Sequence, residues 1–502
     1  MATILDILST FGVLAIISLL VKFILLMRTR WSFQHKLKDF PEHSRGLFFL
    51  GHGKAFLEGA HGMLWTFENI YENNEKAMQF WVTPFLPAVV VYHPDTIKAV
   101  FNTTEPKDYT YHPLEPWLGN GLLLSTGRKW ARNRRLLTPA FHFDILRPYV
   151  NKYVDSTNTL AKKWRDVCKN GACSIEVMQD ISLTTLDSLM KCVMGVEEDI
   201  LQKGTKHPYV NATSVLTKQN VLRFATLAYQ SDTIYALSSD GATNREAITV
   251  AHEFTRRVIN ERKQHISQSQ SATSKKDRLM PFLDILLKAK DEDGVGLSDQ
   301  EIRDEVDTFM FEGHDTTASG LSWVVYNLAN HPELQERCRK EVDEVMHDRD
   351  ELEWKDLSKF EYLTQFIKES MRLYPPVPAV ARLLKSPIKL PDGRVIPNGT
   401  SVYLNIVGLH RNPNVWETPE VFDPERFSKE NSVNRHSHGF TPFAAGPRNC
   451  IGQQFAMSEM KTVTAVLLRH FRFASDSSKP VQRINNSVLR STTGIHVMVE
   501  TI

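Results

Sequence analysis

No Cys-x-x-Cys pair occurs in the chain, and its five cysteines, at 168, 173, 192, 338 and 450, build no even framework. That excludes a structural zinc site and a disulfide-built secreted scaffold, and points to a reducing compartment. Cys168 and Cys173, in CKNGAC, are read as two ordinary thiols beside a turn. Charge of one sign is lacking too: the formal net charge is +2, so bulk electrostatics offer no surface for nucleic acid. The Gly-x-Gly pairs in GHGKAF, GNGLLL and GVGLSD lack the third glycine of a dinucleotide fingerprint, which argues against a nicotinamide site in this chain. There is no internal repeat, and no second long apolar run after the first.

That first run, ILDILSTFGVLAIISLLVKFILLM, is long enough for a helix across a bilayer core. No arginine precedes residue 20, against a mitochondrial presequence, and no small-residue cleavage site follows, so the segment reads as an uncleaved anchor. Lys22 lies within snorkelling reach of the interface. Arg28, Arg30, Lys36 and Lys38 cluster beyond it, and the positive-inside rule then leaves the body of the chain in the cytosol. Residues 1–30 are expected to be the transmembrane anchor, 31–55 a connector with Pro41 as its only proline, and 56–502 the catalytic domain.

The body reads as mainly α with small β-sheets. AVVVYH is β-prone, and the polar stretch 262–278 is expected to be a mobile surface loop. Ser298 with Glu301 marks a capping box opening a helix to Asn330, about 50 Å long and suited to be a central strut. A second box, Ser358 with Glu361, is expected to open the helix that ends at YPP. IKLPDGRVIP predicts a hairpin through Asp392-Gly393, and GTSVYLNIV a further strand.

The unusual cysteine is Cys450, in FTPFAAGPRNCIGQQFAMSEMK. Gly446, Pro447 and Gly452 describe a tight loop, and the amphipathic run from Gln453 to Arg469 starts a helix just after it. A thiol there faces unpaired N–H groups and the positive end of a helix dipole, which favours thiolate and metal ligation. In the central strut, FMFEGHDTT places Glu312, Asp315, Thr316 and Thr317 where polar groups are costly. Glu312 and Thr316 share a face, and Gly313 leaves room for another body. Thr316 can divert a helical hydrogen bond, open the helix and seat water beside Asp315.

Glu-x-x-Arg at Glu369 and Arg372, then PERF, then the loop of Phe443, Gly446, Arg448 and Cys450, follow in one order. In these motifs the chain resembles the cytochrome P-450 family of haem-thiolate monooxygenases over nearly its whole length. The resemblance implies the cytochrome P-450 fold, haem b with Cys450 as axial iron ligand, and O2 as co-substrate. Asp315 and Thr316 then correspond to the distal proton-delivering pair, and Glu369, Arg372 and Arg426 to a buried structural cluster. Trp130 and Arg134, in GRKWARNRR, match the pattern that holds haem propionates, with Arg382 and Arg448 as further anion partners. The remaining basic residues of that stretch are a solvated helix face or a docking patch for an acidic electron donor. The partner implied is the NADPH-dependent cytochrome P-450 reductase, with cytochrome b5 as a second donor, at the endoplasmic reticulum membrane.

EVDTFMFEGHDTT is similar to the family-4 branch, whose typical activity is hydroxylation of fatty acids at or near the terminal carbon. Glu312 corresponds there to a glutamate that forms an ester with a haem methyl in many members. By the same resemblance Ala379 and Val380, and STTG near residue 492, are expected at the substrate. A haem-thiolate isomerase or dehydratase of lipid peroxides, a monooxygenase of other apolar substrates, and a non-catalytic haem protein are the alternatives. The intact Asp315–Thr316 pair favours the monooxygenase.

Overall fold

The computed structural model describes residues 2–42, 59–69, 76–83, 86–269, 281–347, 349 and 351–502. Helices of ten residues or more are α1 (Ala2–Lys36), α2 (Gly59–Glu68), α3 (Gly127–Leu137), α4 (Tyr149–Val167), α5 (Val177–Leu189), α6 (Pro208–Ala225), α7 (Ser239–Ser269), α8 (Asp299–Asn330), α9 (Pro332–Met346), α10 (Glu361–Leu373) and α11 (Gln453–His470). The strands are β1 (Ala77–Thr83), β2 (Leu86–Val91), β3 (Cys173–Glu176), β4 (Ala379–Leu383), β5 (Ile388–Lys389), β6 (Val395–Ile396), β7 (Ser401–Asn405), β8 (Phe471–Ser475), β9 (Arg483–Asn486), β10 (Val488–Ser491) and β11 (His496–Thr501).

Ser298 caps α8 with the expected reciprocal box, and His331 ends the helix before Pro332 starts the next. Its 32 residues cross the body and pack against α5, α7, α10 and α11. Apolar residues face outward on several sides because several elements surround it.

The larger sheet runs β1-β2-β7-β4, with β2 and β7 parallel and the outer pairs antiparallel. Period-two alternation in β2 splits its side chains between two cores. Ala88 and Val90 face the main one; Val89 and Val91 face a smaller one with Ile97, Leu390 and Leu404. A run buried on both faces explains AVVVY being apolar throughout. β3-β11-β8 form a second sheet, and β9–β10 and β5–β6 are hairpins.

Several expectations change. The anchor helix runs to Lys36, beyond residue 30, so the first part of the expected connector is helical. Leu37 and Phe40 are then buried on the sheet, and residues 43–58 lie outside the described residues. Of the polar stretch 262–278, α7 continues through Ser269, and the remainder lies outside them. Ser358 does not cap α10: its hydroxyl donates back to the Lys355 carbonyl, because a turn at Trp354–Asp356 has its own Glu353/Asp356 box. α10 is capped from another helix, the Glu341 carboxylate accepting from the N–H groups of Tyr362 (2.7 Å) and Leu363 (2.9 Å). Cys168 and Cys173 are joined in a disulfide, since the turn between α4 and β3 brings their Cα atoms to 5.5 Å.

Among the described residues α1 alone is long and apolar enough to cross a membrane, over Gly12–Lys36, and its apolar side chains stand exposed.

Candidate functional site

A cavity of about 470 Å³ opens where α8 passes the loop before α11. The loop is built by backbone: the Cys450 N–H donates to the Phe443 carbonyl at 2.9 Å, and Asn449 N–H to the Gly446 carbonyl at 3.1 Å. Gly446 has φ +71°, and a Cβ there would collide with the Phe101 carbonyl, so only glycine fits twice over. Arg134 of α3 grips the same loop, donating to the carbonyl (2.9 Å) and side-chain oxygen (2.8 Å) of Asn449.

Cys450 is exposed to the cavity that it lines. The depressed thiol pKa expected from the helix end is not found. Burial, with the Glu312 charge adding to it, pushes Cys450 up to about 11, outweighing the Gly452 N–H and Arg134. A bound metal cation would reverse this, because ligation deprotonates a thiol outright. Among the described residues no three His, Cys, Asp or Glu side chains gather as a metal cluster, so a metal here would come with its other ligands supplied.

Glu312, Gly313, Asp315, Thr316 and Thr317 of α8 line the same cavity. Gly313 makes room for Leu189 of α5, the body its missing side chain admits. Thr316 donates to the Glu312 carbonyl at 2.8 Å while α8 stays helical, so the local opening expected there is not present. The Asp315 carboxylate is ion-paired with Arg490 of β10, a partner 175 residues away that no local pattern announces.

Lys107, Trp130, Arg134 and Arg448 form the cationic wall, with the Arg448 guanidinium 5.0 Å over the Trp130 ring. Arg448 donates to the carbonyls of Ser125 (2.9 Å) and Leu123 (3.2 Å). Arg382 is buried behind the wall and does not line the cavity. Burial, reinforced by Arg382, lowers Arg448 to about 10, and burial with Arg382 and Arg448 depresses Lys107 well below the usual lysine range. Glu312 is the acid these cations act on, itself raised by burial. Lys107 was not singled out from sequence.

Ala379 and Val380 of β4 line the cavity, as does Phe443. STTG does not: Ser491 and Thr493 hydrogen-bond each other at the base of the β9–β10 hairpin, while its tip, Asn485 to Val488, reaches the cavity. Glu369 and Arg372 form a bidentate pair at 2.7 Å, with Arg426 3.5 Å from the same carboxylate. On α3 most of the basic stretch is paired: Arg132 with Asp291 (2.7 Å), Arg135 with Glu292 (2.8 Å) and Lys129 with Glu301 (4.0 Å).

Lys107, Arg134 and Arg448 outnumber Glu312, the acid beside them, and the Cys450 thiol lines the same cavity. A metal macrocycle bearing two carboxylates suits both, so haem fits these residues. In class these residues suit a haem site with a cysteine ligand. The chain belongs to the cytochrome P450 family, whose model matches residues 41–499. It is 43% identical to a human ultra-long-chain fatty acid omega-hydroxylase over 96% of this chain and 92% of that one. To rat cytochrome P450 4F4 and human cytochrome P450 4F2 it is 44% identical over 93% of this chain and 91% of each.

Proposed function

We propose that the chain hydroxylates fatty acids or related lipids at or near the terminal carbon, using O2 and electrons that a separate reductase takes from NADPH. The observation that carries this reading is one cavity, largely apolar, with the Cys450 sulfur and the Glu312–Thr316 face of α8 on its walls. Haem bound through Cys450 supplies the activation of O2.

The chain's own residues do the rest. Arg134, Arg448 and Lys107, backed by Arg382, pair the haem carboxylates. The rigid loop from Phe443 to Cys450 aims the sulfur. Asp315 and Thr316 hold and pass protons at the carboxylate oxygens and Oγ1, and the Arg490 guanidinium keeps Asp315 turned to its position. Ala379 and Val380 guide the alkyl chain. Glu369, Arg372 and Arg426 support the fold beneath the loop. Glu312, on the cavity face of α8, would carry an ester to a haem methyl: a carboxylate oxygen would replace one methyl hydrogen, with O2 and the reductase's electrons supplying the two-electron oxidation, and the link would narrow the approach to a chain end. Cytochrome b5 acts as a second electron donor. α1 anchors the protein in the endoplasmic reticulum with the catalytic domain in the cytosol.

The test is product regiochemistry. Full-length protein, reductase and NADPH are given saturated and polyunsaturated fatty acids, and mass spectrometry locates the new hydroxyl. Predominantly terminal hydroxylation is expected; no oxidised product from well-reduced holoenzyme would discard the substrate class. Separately, acid–acetone extraction after turnover should leave haem attached to the protein, and complete extraction would remove the Glu312 ester.

A further inference from the structure

We propose that Glu305 of α8 is a positioning residue for the hydroxylation: it pins residues 119–125 across α8 and so fixes a cavity wall that steers the alkyl chain. This deepens, and rests on, the lipid-hydroxylase reading above.

Residues 119–125 form a strap between a short helix, Glu115–Leu118, and α3. The strap lies directly on α8, since a Cβ at Gly121 would collide with the Thr308 hydroxyl and the Asp304 carbonyl. Three side chains hold the backbone at and beside it. His252 of α7 donates to the Trp117 carbonyl at 2.7 Å, Asp304 accepts from the Asn120 N–H at 3.0 Å, and Glu305 accepts from the Leu122 N–H at 2.9 Å. The other Glu305 oxygen accepts from the Asn133 amide of α3 at 2.8 Å, and the residue is 0% exposed.

The Glu305 bond sits where the strap meets the cavity. Leu122, whose N–H it takes, and Leu123 both line the cavity. The carbonyls of Leu123 and Ser125 then seat Arg448, one of the cavity's cations. One side chain thus joins α8, α3 and the strap. Two donors converge on it, and only an acceptor at both oxygens satisfies them. Burial raises its carboxyl to about 7 against the Leu122 N–H, the Asn133 amide and Lys129, with Asp304 adding to the rise. Above that pH it is the carboxylate both donors need. Glutamine there keeps the shape but turns one acceptor into a donor, which leaves a buried donor unmatched and lets the strap shift. A shifted wall re-aims the chain end.

The experiment follows amide hydrogen exchange over residues 119–125 of the full-length ferric holoenzyme at pH 8. In parallel, reductase and NADPH are added with dodecanoic acid, and the ratio of terminal to in-chain hydroxylation is measured. Glu305→Gln should speed exchange of the Leu122 amide about tenfold, one hydrogen bond's worth, and lower the product ratio about tenfold. Leu122→Ala, which alters the wall and keeps the backbone N–H, should lower the ratio while that amide stays slow. Adding Asn133→Asp to Glu305→Gln restores a match of donor to acceptor and should recover both readouts. Asn133→Ala, milder for the fold, should move both in the direction of Glu305→Gln. Faster exchange with an unchanged product ratio in these variants would leave Glu305 a structural cap and overturn the inference, as would unchanged exchange. No fatty-acid product from well-reduced wild-type holoenzyme would instead overturn the substrate reading on which it rests.

Discussion

Glu369 and Arg372 meet away from the cavity, and both side chains are 0% exposed. All five guanidinium N–H groups find acceptors: the two Glu369 oxygens and the carbonyls of His410, Pro419 and Val421. Asp315, on the cavity wall, meets Arg490 through one contact, with Arg490 26% exposed. The second Asp315 oxygen and Arg490 Nε have no hydrogen-bond partner among the described residues. The same two functional groups thus serve different ends. A saturated pair has one geometry and fixes a fold; an unsaturated pair has capacity left for a water or a proton.

Removing a cation separates the two cases most sharply. Arg372→Ala strands a carboxylate at zero exposure and should cost about 3–5 kcal/mol, seen as a large fall in thermal midpoint. Arg372→Lys should recover little, since lysine offers three donors where five are used. Arg490→Met should cost far less, about 1–2 kcal/mol, because water can reach Asp315 through the cavity. Its effect belongs in coupling: more peroxide released per NADPH consumed, partly restored by Arg490→Lys, with Thr316→Ala shifting the same ratio. Unchanged coupling in Arg490→Met would place Arg490 with the structural pair.

A third buried acid sharpens the contrast, with no cation paired to it among the described residues. Burial raises Glu459 on α11 to about 8, against a smaller opposing effect of the Ser188 hydroxyl. The folded protein keeps that proton to a higher pH than the unfolded chain, whose carboxyl releases it near ~4.3. Stability should therefore decline as pH rises from about 4.3 to about 8, then level off. Glu459→Gln should be silent at low pH and gain about 1–2 kcal/mol over wild type by pH ~8. A pH-independent difference in thermal midpoint would contradict this.

What sequence reveals follows the reach of the forces. The loop at Gly446 could be read because a tight turn and a missing Cβ are demands made within a few residues, whereas the thiol shift expected at Cys450 from the helix start was outweighed by burial. Ser298 was readable for the same reason. Glu369, Arg372 and Arg426 were nameable only through their order along the chain, which carries no energetics. Lys107 reaches the cavity, and Arg490 reaches Asp315, by tertiary packing, and nothing beside them in sequence marks it. Ser358 shows the opposite error: a correct local pattern was overridden because Glu341, 21 residues before Tyr362, already supplied the cap.

The join below α1 has a mechanical meaning. Gln79 of β1 donates its N–H to the Pro41 carbonyl (2.9 Å) and its side-chain amide to the Phe40 carbonyl (3.0 Å), and Arg30 lies 4.9 Å over Trp81. The helix therefore ends in a clamp on the sheet. With α1 in a bilayer, the clamp acts as a bracket that fixes the attitude of the large sheet to the membrane plane.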